Sequence, residues 1–137
     1  MESRVSFPSD GLNLSGVVHT PAHQDAGKRC PAFLVLHGFG SNKESPASVA
    51  IAEQLARWGY VVMRFDFRCC GESEGARGHV LCLDQVADTS NALTYMAGRP
   101  EVDPGRIALV GSSFGAAVAV YTGGADERVA AVLSWGG

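Results

Sequence analysis

Apolar and polar positions repeat with different periods along the chain. Residues 3–7 and 12–19 alternate apolar with polar side chains, the pattern of half-buried strands. Pro8-Ser9-Asp10-Gly11 lies between them, and Asp-Gly predicts a tight hairpin because glycine accepts positive φ. Ala32-Phe33-Leu34-Val35-Leu36 is instead a continuous apolar run, as in a parallel strand covered on both faces. Residues 60–65, 107–110 and 128–134 read as three more strands. Between the strands the period lengthens to that of helices. Ser45 predicts an N-cap, Pro46 a first helical position and Gly59 the stop, with Ile51, Leu55 and Trp58 facing the sheet. A second helix is predicted over 81–97, with Val86, Leu93 and Ala97 inward, closing at Gly98 before Pro100. A short third one follows Ser113 and ends near Gly123-Gly124.

Residues 21–31 and 68–79 read as loops, and Asp103-Pro104-Gly105 as a turn into the 107–110 strand. The element order is β-β-β-α-β-α-β-α-β. It predicts an α/β fold with a mostly parallel sheet, an antiparallel N-terminal hairpin and helices on both faces. In such sheets ligands gather at the carboxyl ends of the strands. His37-Gly38-Phe39, Asp66 and Ser113 all fall at such ends, so three candidates converge on one rim.

Composition narrows the function classes. With 137 residues, 46% hydrophobic and 18% charged, the chain is expected to be one domain of ordinary globular make-up. A net charge of −3 without a basic stripe argues against nucleic acid or an anionic membrane as partner. The N-terminus lacks the apolar core of a secretory signal, and no apolar segment approaches a membrane span. The four cysteines, Cys30, Cys69, Cys70 and Cys82, form no C-x-x-C pair, which disfavours zinc; reduced thiols in a cytoplasm are expected. His19 and His23 read as solvated loop histidines.

Gly111-Ser112-Ser113-Phe114-Gly115 carries the chemistry. It is a G-x-S-x-G pattern between an apolar strand and a helix, the context in which a sharp turn lifts a serine hydroxyl clear of the backbone. Ser113 is the candidate nucleophile, because Ser112 has the wrong offset from both glycines. The glycines are needed for close approach of helix to strand. Phe114 N–H is one candidate oxyanion donor. In His37-Gly38-Phe39-Gly40 the glycines let the backbone turn a second amide toward the serine, and Phe39 N–H is that candidate. The Phe39 ring could line an acyl pocket. A phosphate-cradling G-x-G-x-x-G fails, since the third glycine is Lys43. A base is harder to find. His19, His23, His37 and His79 all precede Ser113; His37 reads as a brace for the oxyanion loop and His79 as a loop residue. The later acids, Asp126 and Glu127, read as surface charge.

With these residues placed, the chain resembles the N-terminal half of an α/β-hydrolase, in the esterase-like and serine-aminopeptidase-like branch. The matching pieces are Ser9-Asp10-Gly11-Leu12, Leu36-His37-Gly38-Phe39-Gly40, Phe65-Asp66-Phe67-Arg68 with Gly71-Glu72-Ser73, Asp103-Pro104-Gly105-Arg106-Ile107 and the 111–115 elbow. The resemblance implies hydrolysis of an ester, thioester, amide or peptide bond of a small-molecule acyl substrate through an acyl-serine, with no cofactor. Cys69 stands where this branch commonly has glycine. The resemblance also places the acid and histidine of a triad after the elbow, beyond Gly137. Residues 1–137 are thus expected to form one incomplete α/β-hydrolase domain, a fragment weak or inactive alone, with the last strand an open edge through which copies could associate. Two other readings stay open, a non-catalytic hydrolase-like interaction protein and an acyltransferase using the same serine.

Overall fold

The computed structural model describes residues 1–23 and 27–136. The predicted 21–31 loop therefore falls partly outside the described residues, at 24–26, as does Gly137. The elements in order are β1 (Glu2–Ser9), β2 (Leu12–His19), β3 (Cys30–Leu36), α1 (Pro46–Arg57), β4 (Val61–Phe65), α2 (Cys82–Ala97), β5 (Val102–Ser112), α3 (Phe114–Ala125) and β6 (Val129–Trp135). They form a six-stranded sheet in the order β1-β2-β4-β3-β5-β6. β1 and β2 pair antiparallel, β2 meets β4 antiparallel, and β4, β3, β5 and β6 run parallel. This is the architecture predicted from the pattern.

The hairpin turns where Asp-Gly requires, with Asp10 at φ 48° and Gly11 at φ 82°. Such a pair of left-handed residues matches the twist of the two strands. β3 sits centrally and divides its side chains between two apolar layers. Ala32, Leu34 and Leu36 join Phe7, Met63, Leu93 and Val118 on the side of α2 and α3. Phe33 and Val35 join Ala52, Val62 and Val110 under α1. Leu34 and Leu109 are wholly enclosed. Each such side chain contributes about 1.5–3 kcal/mol relative to leaving it in water.

α1 begins as predicted, with the Ser45 side chain accepting from Ser48 N–H and Pro46 in the first turn. Trp58 corrects the prediction. It is the C-cap, one residue past the end of the helix, and 68% exposed, so it does not share the sheet-facing side of α1. Two further boundaries differ. Asp103-Pro104-Gly105 lies within β5 at a register irregularity, where Cys30 pairs with Val102 before the ladder resumes at Ala32 and Ile107. α3 runs through Gly123 and Gly124 to Ala125, and Gly123 packs closely on β6, where a Cβ would lie 2.7 Å from a Val132 methyl. No helix among the described residues is long and apolar enough to cross a membrane.

Candidate active site

Ser113 is the hinge between β5 and α3 and the N-cap of that helix, at φ 55° and ψ −125°. A non-glycine residue at positive φ costs roughly 1–2 kcal/mol, so the surroundings must impose it. They do so on both sides. Ser113 N–H donates to the carbonyl of Trp135 at 3.1 Å, and the Ser113 carbonyl accepts from Ala116 N–H at 3.0 Å. The two elbow glycines supply the close approach. A Cβ on Gly111 would run into the Gly115 carbonyl, and one on Gly115 into the carbonyls of Leu36 and, at 2.7 Å, His37. α3 thus rests on the carboxyl end of β3, and the Ser113 side chain is left exposed.

The His37-Gly38-Phe39-Gly40 loop leaves that same end of β3. The position of a Gly38 Cβ lies 3.5 Å from Ser113 Cβ and 3.9 Å from its Oγ. Gly40, at φ 70°, and a bond from Ser41 N–H to the Gly38 carbonyl at 3.1 Å turn the loop back on itself. Among the described residues, neither Phe39 N–H nor Phe114 N–H finds an acceptor. The two phenyl rings meet edge to face, with centroids 6.1 Å apart. A cavity of about 480 Å³ opens beside Ser113, lined by Val35, His37, Phe39, Ile51 and Trp135 among others. The structure therefore brings together the three residues singled out from the sequence.

His37 is a brace. Its Nε2 accepts from Phe67 N–H at 3.3 Å, which requires the proton on Nδ1, and Nδ1–H donates to the Gly38 carbonyl at 2.9 Å. Burial holds its pKa below the usual histidine range, so the ring is neutral near pH 7. Both nitrogens are occupied, and none of the four histidines hydrogen-bonds Ser113 Oγ among the described residues. His19 departs from the solvated role expected of it. It is buried and accepts from Arg64 Nε at 3.0 Å. His79 is exposed on its loop, and Asp126 is paired with Arg128 at 2.8 Å.

Asp66 ends β4 as predicted but does not face a ligand. It is fully buried, and its carboxylate accepts from the N–H groups of Lys43 and Glu72 and from Lys43 Nζ. Lys43 had no local signature in the sequence beyond breaking a glycine pattern. Its contact with Asp66 spans 23 positions. Cys69, standing where the resembled branch has glycine, adopts the glycine conformation, at φ 67°.

Comparison with known proteins agrees with this fold. Residues 27–135 match the family model for serine aminopeptidase, S33. The polyketide transferase af380 of Aspergillus fumigatus is 37% identical across 95% of the chain and 43% of its own length. The thiohydrolase apmlB of Arthrinium phaeospermum is 34% identical across 98% of the chain and 42% of its own length. Among solved structures, the α/β-hydrolase GrgF from Penicillium superposes with a TM-score of 0.90 at 29% identity, covering 98% of the chain and 45% of GrgF. The chain thus spans somewhat under half the length of these relatives.

Proposed function

The chain belongs to the serine aminopeptidase (S33) family of α/β-hydrolases, and from that premise we propose that Ser113 is the nucleophile of an acyl-transfer site acting on a carboxylic ester, thioester or small amide. One observation carries the reading: a Cβ placed on Gly38 would lie 3.9 Å from Ser113 Oγ, and the N–H groups of Phe39 and Phe114 find no acceptor among the described residues. In this reading Oγ attacks the acyl carbon and its proton passes to a base. The carbonyl π electrons move onto oxygen, which the two N–H groups receive. Collapse of the adduct expels the alkoxide, thiolate or amine with a proton and leaves an acyl-serine for water to cleave. The base is proposed to come from polypeptide equivalent to the part of the relatives that this chain does not span. Without it, turnover falls by several orders of magnitude, since each triad member is worth that much.

A fluorophosphonate offered to a version carrying its base tests the assignment. That version should be labelled at Ser113, and its Ser113→Ala variant should not be. A folded version with its base that stays unlabelled would defeat the reading. The names of relatives favour a second reading, transfer of the acyl group to an acceptor other than water, since af380 is named a polyketide transferase. Supplying an alcohol, amine or thiol to a version carrying its base, and measuring the new acyl product against free acid, separates the two.

A further inference from the structure

The candidate donor Phe39 N–H sits in a loop that is tied down at two points, and both ties go to consecutive residues at the end of β4. His37 takes the N–H of Phe67. Lys43 takes Asp66. Its own N–H donates to Asp66 Oδ1 at 2.7 Å and its Nζ to Asp66 Oδ2 at 2.7 Å. Nζ also donates to Glu72 Oε1 at 2.6 Å, and the Lys43 carbonyl accepts from Arg64 Nη1 at 3.0 Å. Only residues 38–42 lie between the ties. The Lys43 side chain is completely inaccessible, as is Asp66 but for 1% of its side chain. Gly71, at φ 51°, faces the Asp66 carboxylate so closely that any side chain would collide with it.

Enclosing a lysine and a carboxylate is a poor way to gain stability. Desolvation of both charges consumes much of their attraction, and apolar residues of similar volume often serve as well or better. What a charged, multiply hydrogen-bonded pair provides is direction, because it fixes both a side chain and a backbone amide at one point.

We propose that Lys43 is a positioning residue for acyl transfer, holding the 38–42 loop against Asp66 so that Phe39 N–H points to the oxyanion beside Ser113. This rests on the reading of Ser113 and Phe39 given above. Lys43 touches no reacting atom. Its effect is carried through the backbone.

The test uses a version carrying its base, uniformly labelled with ¹⁵N, as wild type, Lys43→Met and Glu72→Ala. Three quantities are measured: amide cross-peaks of residues 39–41, hydrogen exchange of the Leu34 and Leu109 amides, and the rate of Ser113 modification by a fluorophosphonate. In Lys43→Met the 39–41 peaks should shift or broaden, and labelling should slow by about tenfold or more, since misplacement by about 1 Å can cost ~10²-fold. Exchange at Leu34 and Leu109 should rise in Lys43→Met, because leaving the enclosed Asp66 without its cation destabilises the whole fold, and should stay near wild type in Glu72→Ala, where that pair is kept. Glu72→Ala, which removes only the outer partner of Nζ, should give the same peak and labelling changes at smaller amplitude, and it decides the matter alone if Lys43→Met fails to fold. An unmoved Phe39 amide in the folded variants, or exchange rising in parallel at Phe39 and Leu34 in Glu72→Ala, would overturn the proposal in favour of a purely structural lysine. An unlabelled wild-type chain would overturn the parent reading and this one with it. Failure of the clamp alone is distinguished by wild-type labelling with an unchanged Phe39 peak.

Discussion

Gly115 allows the packing of the elbow to be tested against its chemistry. In Gly115→Ala the new methyl would lie 2.7 Å from the His37 carbonyl and closer still to that of Leu36, whereas ordinary contacts begin at 3.4 Å. Both obstacles are backbone, so α3 must retreat from β3 by about 0.7 Å or more, the difference between 3.4 and 2.7 Å. Overpacking of this kind costs about 1–3 kcal/mol. Alanine's better helix propensity returns about 1 kcal/mol, leaving a net loss of roughly 0–2 kcal/mol. For a domain of this size that lowers Tm by no more than about 10 °C, so the variant should fold. The retreat carries Ser113 and Phe114 N–H away from Phe39 N–H, and labelling should fall by between about 10- and 100-fold. Gly124→Ala is the control in the same helix, because its Cβ meets nothing within 4 Å. It should gain about 0.5–1 kcal/mol and leave labelling unchanged. Circular-dichroism melts of the two variants, and fluorophosphonate rates of both in a version carrying its base, decide the issue. Wild-type labelling in Gly115→Ala, or equal loss in both, would refute the reasoning.

Cys69→Gly should stabilise the chain by about 1 kcal/mol in urea unfolding, since it relieves a side chain held at positive φ. Burial lowers the pKa of His37 below its ordinary value of 6.5, so the unfolded chain binds the proton more tightly. Stability is therefore complete above 6.5 and is lost as pH falls below it; urea midpoints at pH 7.5 and 5.5 should differ in that sense. His37→Gln should remove part of that slope, and the remainder includes His19, whose pKa is lowered in the same way. Hydrogen bonds from Arg128 depress Asp126 to about 2, so its carboxyl carbon should titrate there by NMR. Arg128→Ala should return the midpoint toward 3.8.

Local signals were legible in the sequence, and long-range ones were not. The Asp10-Gly11 turn, the Ser45 cap and the spacing of Gly111 and Gly115 each express a backbone demand met within a few residues. From them followed the element order, the parallel sheet and the meeting of Ser113 with the Gly38 turn. Trp58 was misread because spacing alone does not mark the helix end, and the residue that closes α1 lies outside its packed face. His19 and Lys43 owe their burial to Arg64 and Asp66, partners 45 and 23 positions away. Asp66 was correctly placed on the rim, but its enclosure depends on Lys43 and Gly71 arriving from two separate loops.

The bond from Ser113 N–H to the Trp135 carbonyl has a thermodynamic corollary. Trp135 is the last residue of β6, an outermost strand whose only ladder among the described residues is with β5. Whenever the Trp135 end of β6 opens, the bend at 113 loses one of its restraints and can relax toward commoner dihedrals. The orientation of the hydroxyl is therefore coupled to the pairing of β5 with β6, and tightening that pairing would sharpen it.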